Sequence, residues 1–306
     1  VVLDAQSVET VKILIITDGK KGHENQSIAY ANLLNKPYTL CTVTYASKWH
    51  KMLTYALDWL GIYVPLFSAT SFAKKEVSQI VCAGSSTYYP AKMFAKHYNL
   101  PVTALMLPRG YKQDYTHIFA MAHDNPPQKP NITSLPVNIC QSRPLGLFAA
   151  TSSTLGVVIG GRNAVFTCNA EEIRALLGLI THTFPDHALA LATSPRTPAE
   201  VDNVVEATPS AFTLIYAKTP KNPIGDFLFT CTGVCITEDS TSMLSEAVCW
   251  GQARVHILPL ESSKPHNKYR QFASFLVNEG YAQWLGEPLI PVKKYDLKAA
   301  LQKANT

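Results

Sequence analysis

The chain has 306 residues, of which 47% are hydrophobic and 16% charged, and a net charge of +5. This composition excludes a disordered chain, and the length predicts two domains, because single cores rarely grow beyond about 250 residues. The basic excess is mild and no basic run is interleaved with aromatics, so no nucleic-acid partner is expected, whereas an anionic ligand or surface is.

Apolar runs closed by turn signals predict strands at 11–16, 79–83, 102–107 and 117–122 in the first half. The first run leads into "TDGKKGHENQ", and a helix is expected over 25–34 with Asn25 as its cap. In this loop Gly19 and Gly22 let a ligand approach the backbone, and His23 has the intrinsic acidity of a general base near neutral pH. The spacing is neither that of a P-loop nor the three-glycine dinucleotide fingerprint. A plain glycine turn with a surface histidine fits the same residues. No cleavable signal is expected at the N-terminus.

The most apolar stretch is "LTYALDWLGIYVPLF", 53–67, interrupted by Asp58 and Pro65 and too short to span a bilayer. It reads first as a buried helix. Its second reading is a peripheral membrane contact through 49–67, with Trp49, Trp59 and Tyr63 at the headgroup level. "LPRG" and "AHD" set Arg109 and Asp124 at two strand ends. The segments "HDNPPQKPNITSLP" and "QSRPLGLFAATSST" disfavour helix and sheet. They place the boundary at 145–155, giving domains 1–150 and 151–306, with the last helices crossing back to the first domain.

The second half repeats the pattern with strands at 156–159, 188–192, 212–216, 233–237 and 253–258. Helix starts are signalled by "NAEE", with Asn169 as cap and Glu172 closing the box, and by "TPAE", with Thr197 as cap, Pro198 in the first turn and Glu200 closing. Strands apolar on both faces that alternate with helices predict an α/β fold of two Rossmann-like domains with parallel sheets covered on both sides. Ligands of such sheets bind at the carboxyl ends of the strands, here in a cleft between the two domains.

"ITEDSTSMLSEAVCWG" is the strongest local signal. A strand ends in Glu238 and Asp239, and a helix starts at about Ser240. With Asp239 as cap, Ser242 and Glu246 share one face, while Met243, Ala247 and Trp250 form a core face. The unpaired N–H groups of such a helix start suit a pyrophosphate without a metal, and Glu246 one turn on suits a ribose diol. Capping alone accounts for the same residues. "ATSPRTP" (Ser194, Arg196, Thr197) and "GGRN" (Gly160, Gly161, Arg162) offer further phosphate contacts. The seven cysteines form no CxxC pair, and HExxH, DxD and GxSxG are absent, so neither a metal site nor a serine hydrolase is expected. The cysteines read as buried apolar residues of a reducing compartment.

The motifs "DGKKGHENQ", "AGSST", "LPRG", "HDN…PNI", "VVIGGRN", "SPRTP", "NPIGDFL", "ITEDSTSMLSEA" and "FASFLVNEG" follow one another as in the mitochondrial-fission ELM family, which the chain resembles over 18–280. That family is similar to the GT-B glycosyltransferases, and distantly to lipid-A-disaccharide synthase and the transferase that completes lipid II. The resemblance implies that Gly19, Gly22 and His23 face an acceptor. It also implies that Asp239, Ser240, Ser242 and Glu246 hold a nucleotide sugar.

The combined expectation is a cytoplasmic, metal-independent transferase moving a sugar from a nucleoside diphosphate to a lipid-linked or cell-envelope acceptor, peripheral on the cytoplasmic face of a membrane. His23 or Asp18 would serve as base. The donor would lie on Gly160, Gly161, Arg162, Ser194, Arg196, Thr197, Glu238, Asp239, Ser240, Ser242, Met243 and Glu246, and the acceptor beside Gly19, Gly22, Glu24, Asn25, Gln26, Arg109 and Asp124. A non-catalytic membrane adaptor and a nucleotide-sugar epimerase are the alternatives.

Overall fold

The computed structural model describes residues 11–264 and 266–304. The N-terminal stretch without an expected signal falls largely outside them. The described residues divide into two units, one comprising 11–141 with 297–304, the other lying within 142–296.

The first unit runs β1 (Lys12–Thr17), α1 (Lys21–Leu33), β2 (Tyr38–Tyr45), α2 (Lys48–Leu60), β3 (Phe67–Ala69), β4 (Val77–Ala83), α3 (Tyr88–Tyr98), β5 (Val102–Leu105), β6 (His117–Met121) and β7 (Ile132–Leu135). Its sheet has the order β3-β2-β1-β4-β5-β6-β7, with only β3 antiparallel to its neighbour. Ile13 to Ile16 are buried without alternation, as befits a strand covered on both faces. The strand order reverses between β1 and β4. Right-handed crossovers therefore lay helices on both faces and open a crevice beyond the carboxyl ends of these two strands.

The second unit repeats this plan with β8 (Thr154–Ile159), α4 (Ala170–Thr183), β9 (Ala188–Thr193), α5 (Ala199–Ala207), β10 (Phe212–Leu214), α6 (Ile224–Thr230), β11 (Gly233–Thr237), α7 (Thr241–Cys249), β12 (Arg254–Leu258), α8 (Lys268–Asn278) and β13 (Gln283–Trp284). The order β10-β9-β8-β11-β12-β13 is parallel throughout and reverses between β8 and β11. The final helix, α9 (Leu297–Ala304), belongs to the first unit, where it packs near α1 and buries Leu297 and Leu301.

Several expectations need correction. The division falls between Gln141 and Ser142, ahead of residue 150. The reason is that the backbone N–H groups of Leu145 and Gly146 donate to the buried Asp226 carboxylate at 2.9 and 2.8 Å, fixing that segment to the second unit. The proline-rich stretch read as devoid of sheet contains β7, paired with β6. The helix expected over 25–34 begins at Lys21, with no side-chain cap.

The segment read first as a buried helix shows the opposite pattern. In α2 the fully buried residues are Thr54 and Asp58, while Trp49 and Leu60 are 76% and 71% exposed. Polar contacts hold its inner face. Lys92 Nζ donates to both Asp58 oxygens at 2.9 and 3.1 Å, Tyr63 Oη donates to Asp58 Oδ1 at 3.0 Å, and the Lys112 N–H donates to Asp58 Oδ2 at 2.7 Å. Lys92 also meets Asp114 and lies over the Tyr115 ring. No helix among the described residues is long and apolar enough to cross a membrane. The cysteines are free, with Cys41, Cys82, Cys168, Cys231 and Cys235 buried and Cys140 and Cys249 half-buried.

Candidate functional site

In the first unit, β1 ends in Thr17, and only Asp18, Gly19 and Lys20 separate it from α1. The strand-end hydroxyl organises this turn. Thr17 Oγ1 accepts the Gly19 N–H at 3.0 Å and donates to Glu24 Oε2 at 3.0 Å. Glu24 also meets Lys21, so it serves the turn. Asp18, with a side chain only 7% exposed, accepts the Lys20 N–H and lies 3.4 Å from His23 Nδ1. Burial works to raise the Asp18 carboxyl, but hydrogen bonds and charge from His23 and Lys20 outweigh it and hold it below the ordinary value. A carboxylate on one imidazole nitrogen orients the ring and favours the tautomer whose other nitrogen accepts a proton.

The His23 ring rests against Gly84, the residue that follows β4. A Cβ there would lie 2.3 Å from His23 Nδ1, and Gly84 has φ +91°, so two independent constraints select glycine. His23 therefore sits between the ends of β1 and β4, at the reversal of strand order. Near it, Gln26 Oε1 is buried with no hydrogen-bond partner among the described residues, an acceptor that a ligand hydroxyl would satisfy. Asn25 is exposed and Gly22 lies in the first turn of α1. Arg109 and Asp124 pair with each other at 3.0 Å, joining the loops after β5 and β6.

The second unit uses the same device. Thr237 closes β11, accepts the Gly160 N–H at 2.8 Å and donates to Asp239 Oδ1 at 2.7 Å. Asp239 is buried, accepts the Gly161 N–H at 3.0 Å, and pairs with Arg196 at 2.8 Å. Burial raises its carboxyl, opposed by Thr237, Gly161 and Arg196. A Cβ on Gly160 would lie 2.0 Å from Asp239 Oδ1, and one on Gly161 2.0 Å from the Arg196 carbonyl oxygen. These glycines therefore exist for protein packing, and their N–H groups are already taken. Their expected role as backbone donors to a pyrophosphate is corrected accordingly.

Other roles change as well. The cap of α7 is Ser240, whose Oγ accepts the Met243 N–H, and Asp239 is instead the link between the loops after β8, β9 and β11. Glu238 is fully buried, with one oxygen accepting from Arg270 Nε at 3.0 Å and the other from the Leu260 N–H at 2.8 Å. That engagement removes it from the donor set. Thr197 does not cap α5, which starts at Ala199. Its hydroxyl accepts the Ser194 N–H at 2.8 Å and donates to the Gly160 carbonyl at 2.5 Å. Asn169 caps α4, accepting the Glu172 N–H at 2.9 Å, while the Glu172 carboxylate accepts from the Glu261 N–H instead of closing the box. The buried face of α7 is Leu244, Ser245, Ala247 and Val248, leaving Met243 and Trp250 half-buried.

What stays exposed at this end of the second unit is basic and adjoins a helix start. Arg162, Arg196 and Ser242 are exposed, and α7 starts directly after the Asp239 that pairs with Arg196. Arg162 also pairs with Glu200, and Ser194 Oγ accepts the Arg196 N–H at 3.2 Å. A helix-start dipole and guanidinium charge in this arrangement are chemically suited to an anion.

Glu246 is half-buried one turn beyond Ser242. Burial pushes its carboxyl up to about 7, against a hydrogen bond from Ser142. Between 4.5 and about 7 the folded chain keeps a proton that the unfolded chain has lost, so stability falls as pH rises through that window. His256, held down to about 4 by burial, contributes in the opposite sense. Glu246→Gln should therefore raise the melting temperature above pH 7 relative to wild type and flatten this part of the calorimetric pH profile, leaving the His256 contribution.

Sequence reasoning missed Gly84, Thr17 and Thr237. The available signal was a threonine closing an otherwise apolar strand just before an acidic residue, in "IITDG" and "CITED".

Among solved structures, the chain is similar to a protein from Listeria monocytogenes provisionally named UDP-N-acetylglucosamine 2-epimerase. The two are 12% identical with a TM-score of 0.51, over 97% of this chain and 88% of that one. It is likewise similar to MurG of Acinetobacter baumannii, at 12% identity and a TM-score of 0.50, over 95% and 89% of the two chains. These likenesses show the fold, that of the GT-B glycosyltransferases with two Rossmann-like domains. No curated protein matches the chain in sequence. The family model described as Mitochondrial fission ELM1 matches residues 21–305 and so covers most of the sequence; the chain belongs to that family.

Proposed function

We propose that the protein is a glycosyltransferase that uses a nucleoside diphosphate sugar, with a lipid-linked or envelope glycan as acceptor. The observation that carries this reading is the start of α7, a helix N-terminus with an exposed Ser242 that follows directly on Asp239, the buried carboxylate that fixes the exposed Arg196. The departing diphosphate would rest on these groups and on Ser242, with no metal required, and Glu246 would accept hydrogen bonds from the ribose. In the other unit, His23, oriented by Asp18, would take the proton of the acceptor hydroxyl. The new bond joins the acceptor oxygen to the anomeric carbon, the bond from that carbon to the diphosphate breaks, and the electron pair leaves with the diphosphate.

The test is a thermal-shift titration against uridine, cytidine and guanosine diphosphates and their sugars. One nucleotide series should raise the midpoint, since ligand at about a hundredfold its Kd adds about 2.7 kcal/mol of stability. Glu246→Ala should weaken that shift, and unchanged affinity would remove Glu246 from the site. No response to any nucleotide would sink the proposal. Conversion of the bound sugar to its epimer, without transfer, would replace it with the epimerase reading.

A further inference from the structure

The exposed face of α2 has no role in the chemistry proposed above. Trp49, Met52, Leu53, Ala56 and Leu60 recur at three- and four-residue spacing, which puts them on one side of a helix of 3.6 residues per turn. The opposite side carries the buried Thr54 and Asp58. Beyond the helix, Ile62 and Val64 are also exposed. Apolar side chains gathered on one outer face at this density mark an interaction surface.

The charge around this face is predominantly basic. Lys48 flanks the apolar stripe on the exposed side of α2, Lys96 donates to the Gly61 carbonyl at its carboxyl end, and Lys112 lies 6.0 Å from the Trp59 ring. The only carboxylate within 48–64, Asp58, is fully buried and neutralised by Lys92. The exposed Asp114 shares this lysine with Asp58, so one negative charge of the network remains against the lysines around the face. Trp59 keeps a fixed place, because its Nε1–H donates to the Gly110 carbonyl at 3.1 Å while most of its ring stays exposed.

We propose that this face docks on an anionic phospholipid bilayer, with α2 lying in the interfacial plane. The apolar stripe would enter the boundary of headgroups and acyl chains, and the flanking lysines would meet lipid phosphates and carboxylates. An acidic protein surface would satisfy the lysines but not the two tryptophans and the protruding aliphatic chains around them. The assignment is independent of the transferase chemistry.

The experiment is co-sedimentation of the full chain with phosphatidylcholine vesicles, with and without phosphatidylserine, at low and high salt. Binding is expected to the vesicles containing phosphatidylserine, and high salt should weaken it. Phospholipids with brominated acyl chains should quench the tryptophan emission of the unaltered protein. The pair Leu53→Ser and Leu60→Ser, both at exposed positions, should lower the bound fraction at least about tenfold with an unchanged melting temperature. Absence of sedimentation with either vesicle, absence of quenching, or undiminished binding by a folded double variant would overturn the proposal. The quenching measurement uses the wild-type protein and so decides the matter even if the variant fails to fold.

Discussion

Lys92→Met is expected to destabilise the protein by about 3–5 kcal/mol, because it strands the Asp58 carboxylate in the interior of the first unit. The substitution keeps the volume and the apolar stem of the lysine, so the loss isolates its charge. Three other groups are linked through it, namely Asp114, the Lys112 carbonyl and the Tyr115 ring. Urea unfolding of the single variants and of Lys92→Met combined with Asp58→Asn forms a double-mutant cycle. The double variant should be less destabilised than the sum of the singles, as for two residues in one network. Additive losses would show that the pair is not the element that fixes the inner face of α2.

Gly84→Ala should lower the rate of the proposed transfer by about 10²–10⁴-fold, as much as His23→Ala, although residue 84 has no side chain to contribute to chemistry. The added methyl would fall 2.3–2.4 Å from two atoms of the imidazole, and the ring must leave its place beside Asp18. The positive φ adds a stability cost of roughly 1–3 kcal/mol. Nucleotide binding, read by the thermal shift, should persist, since the proposed donor site is built from other residues. A folded Gly84→Ala protein with an unaltered rate would show that His23 is not the base.

The strands buried on both faces were plain in the sequence, because continuous apolar runs such as "KILIIT" and "GVCIT" leave no other solution once helices separate them. What escaped is the set of strands without such runs. In β2 only Cys41 and Val43 are buried, so its neighbours are free to be polar, and β7 is a short tract between prolines. The site was legible as a set of segments and less so as a set of roles. "TEDS" announces a helix start, but nothing in it says that Ser240 caps, that Glu238 turns inward to Arg270, or that Asp239 reaches Gly161 and Arg196 from another part of the chain. Those assignments depend on long-range packing. The inverted burial of α2 was hidden for the same reason, since Asp58 is tolerable inside only because Lys92, well removed in sequence, meets it there.

The place of α9 bears on the birth of the molecule. This helix completes the first unit, yet the whole of Ser142–Asp296 lies between it and the rest of that unit. At about 5–20 residues per second, a ribosome needs on the order of ten seconds or more to make the intervening segment. During that interval the nascent first unit has its sheet but lacks the cover that Leu297 and Leu301 later provide. The second unit is the one that can close upon itself first, and the first awaits the synthesis of Leu297–Ala304.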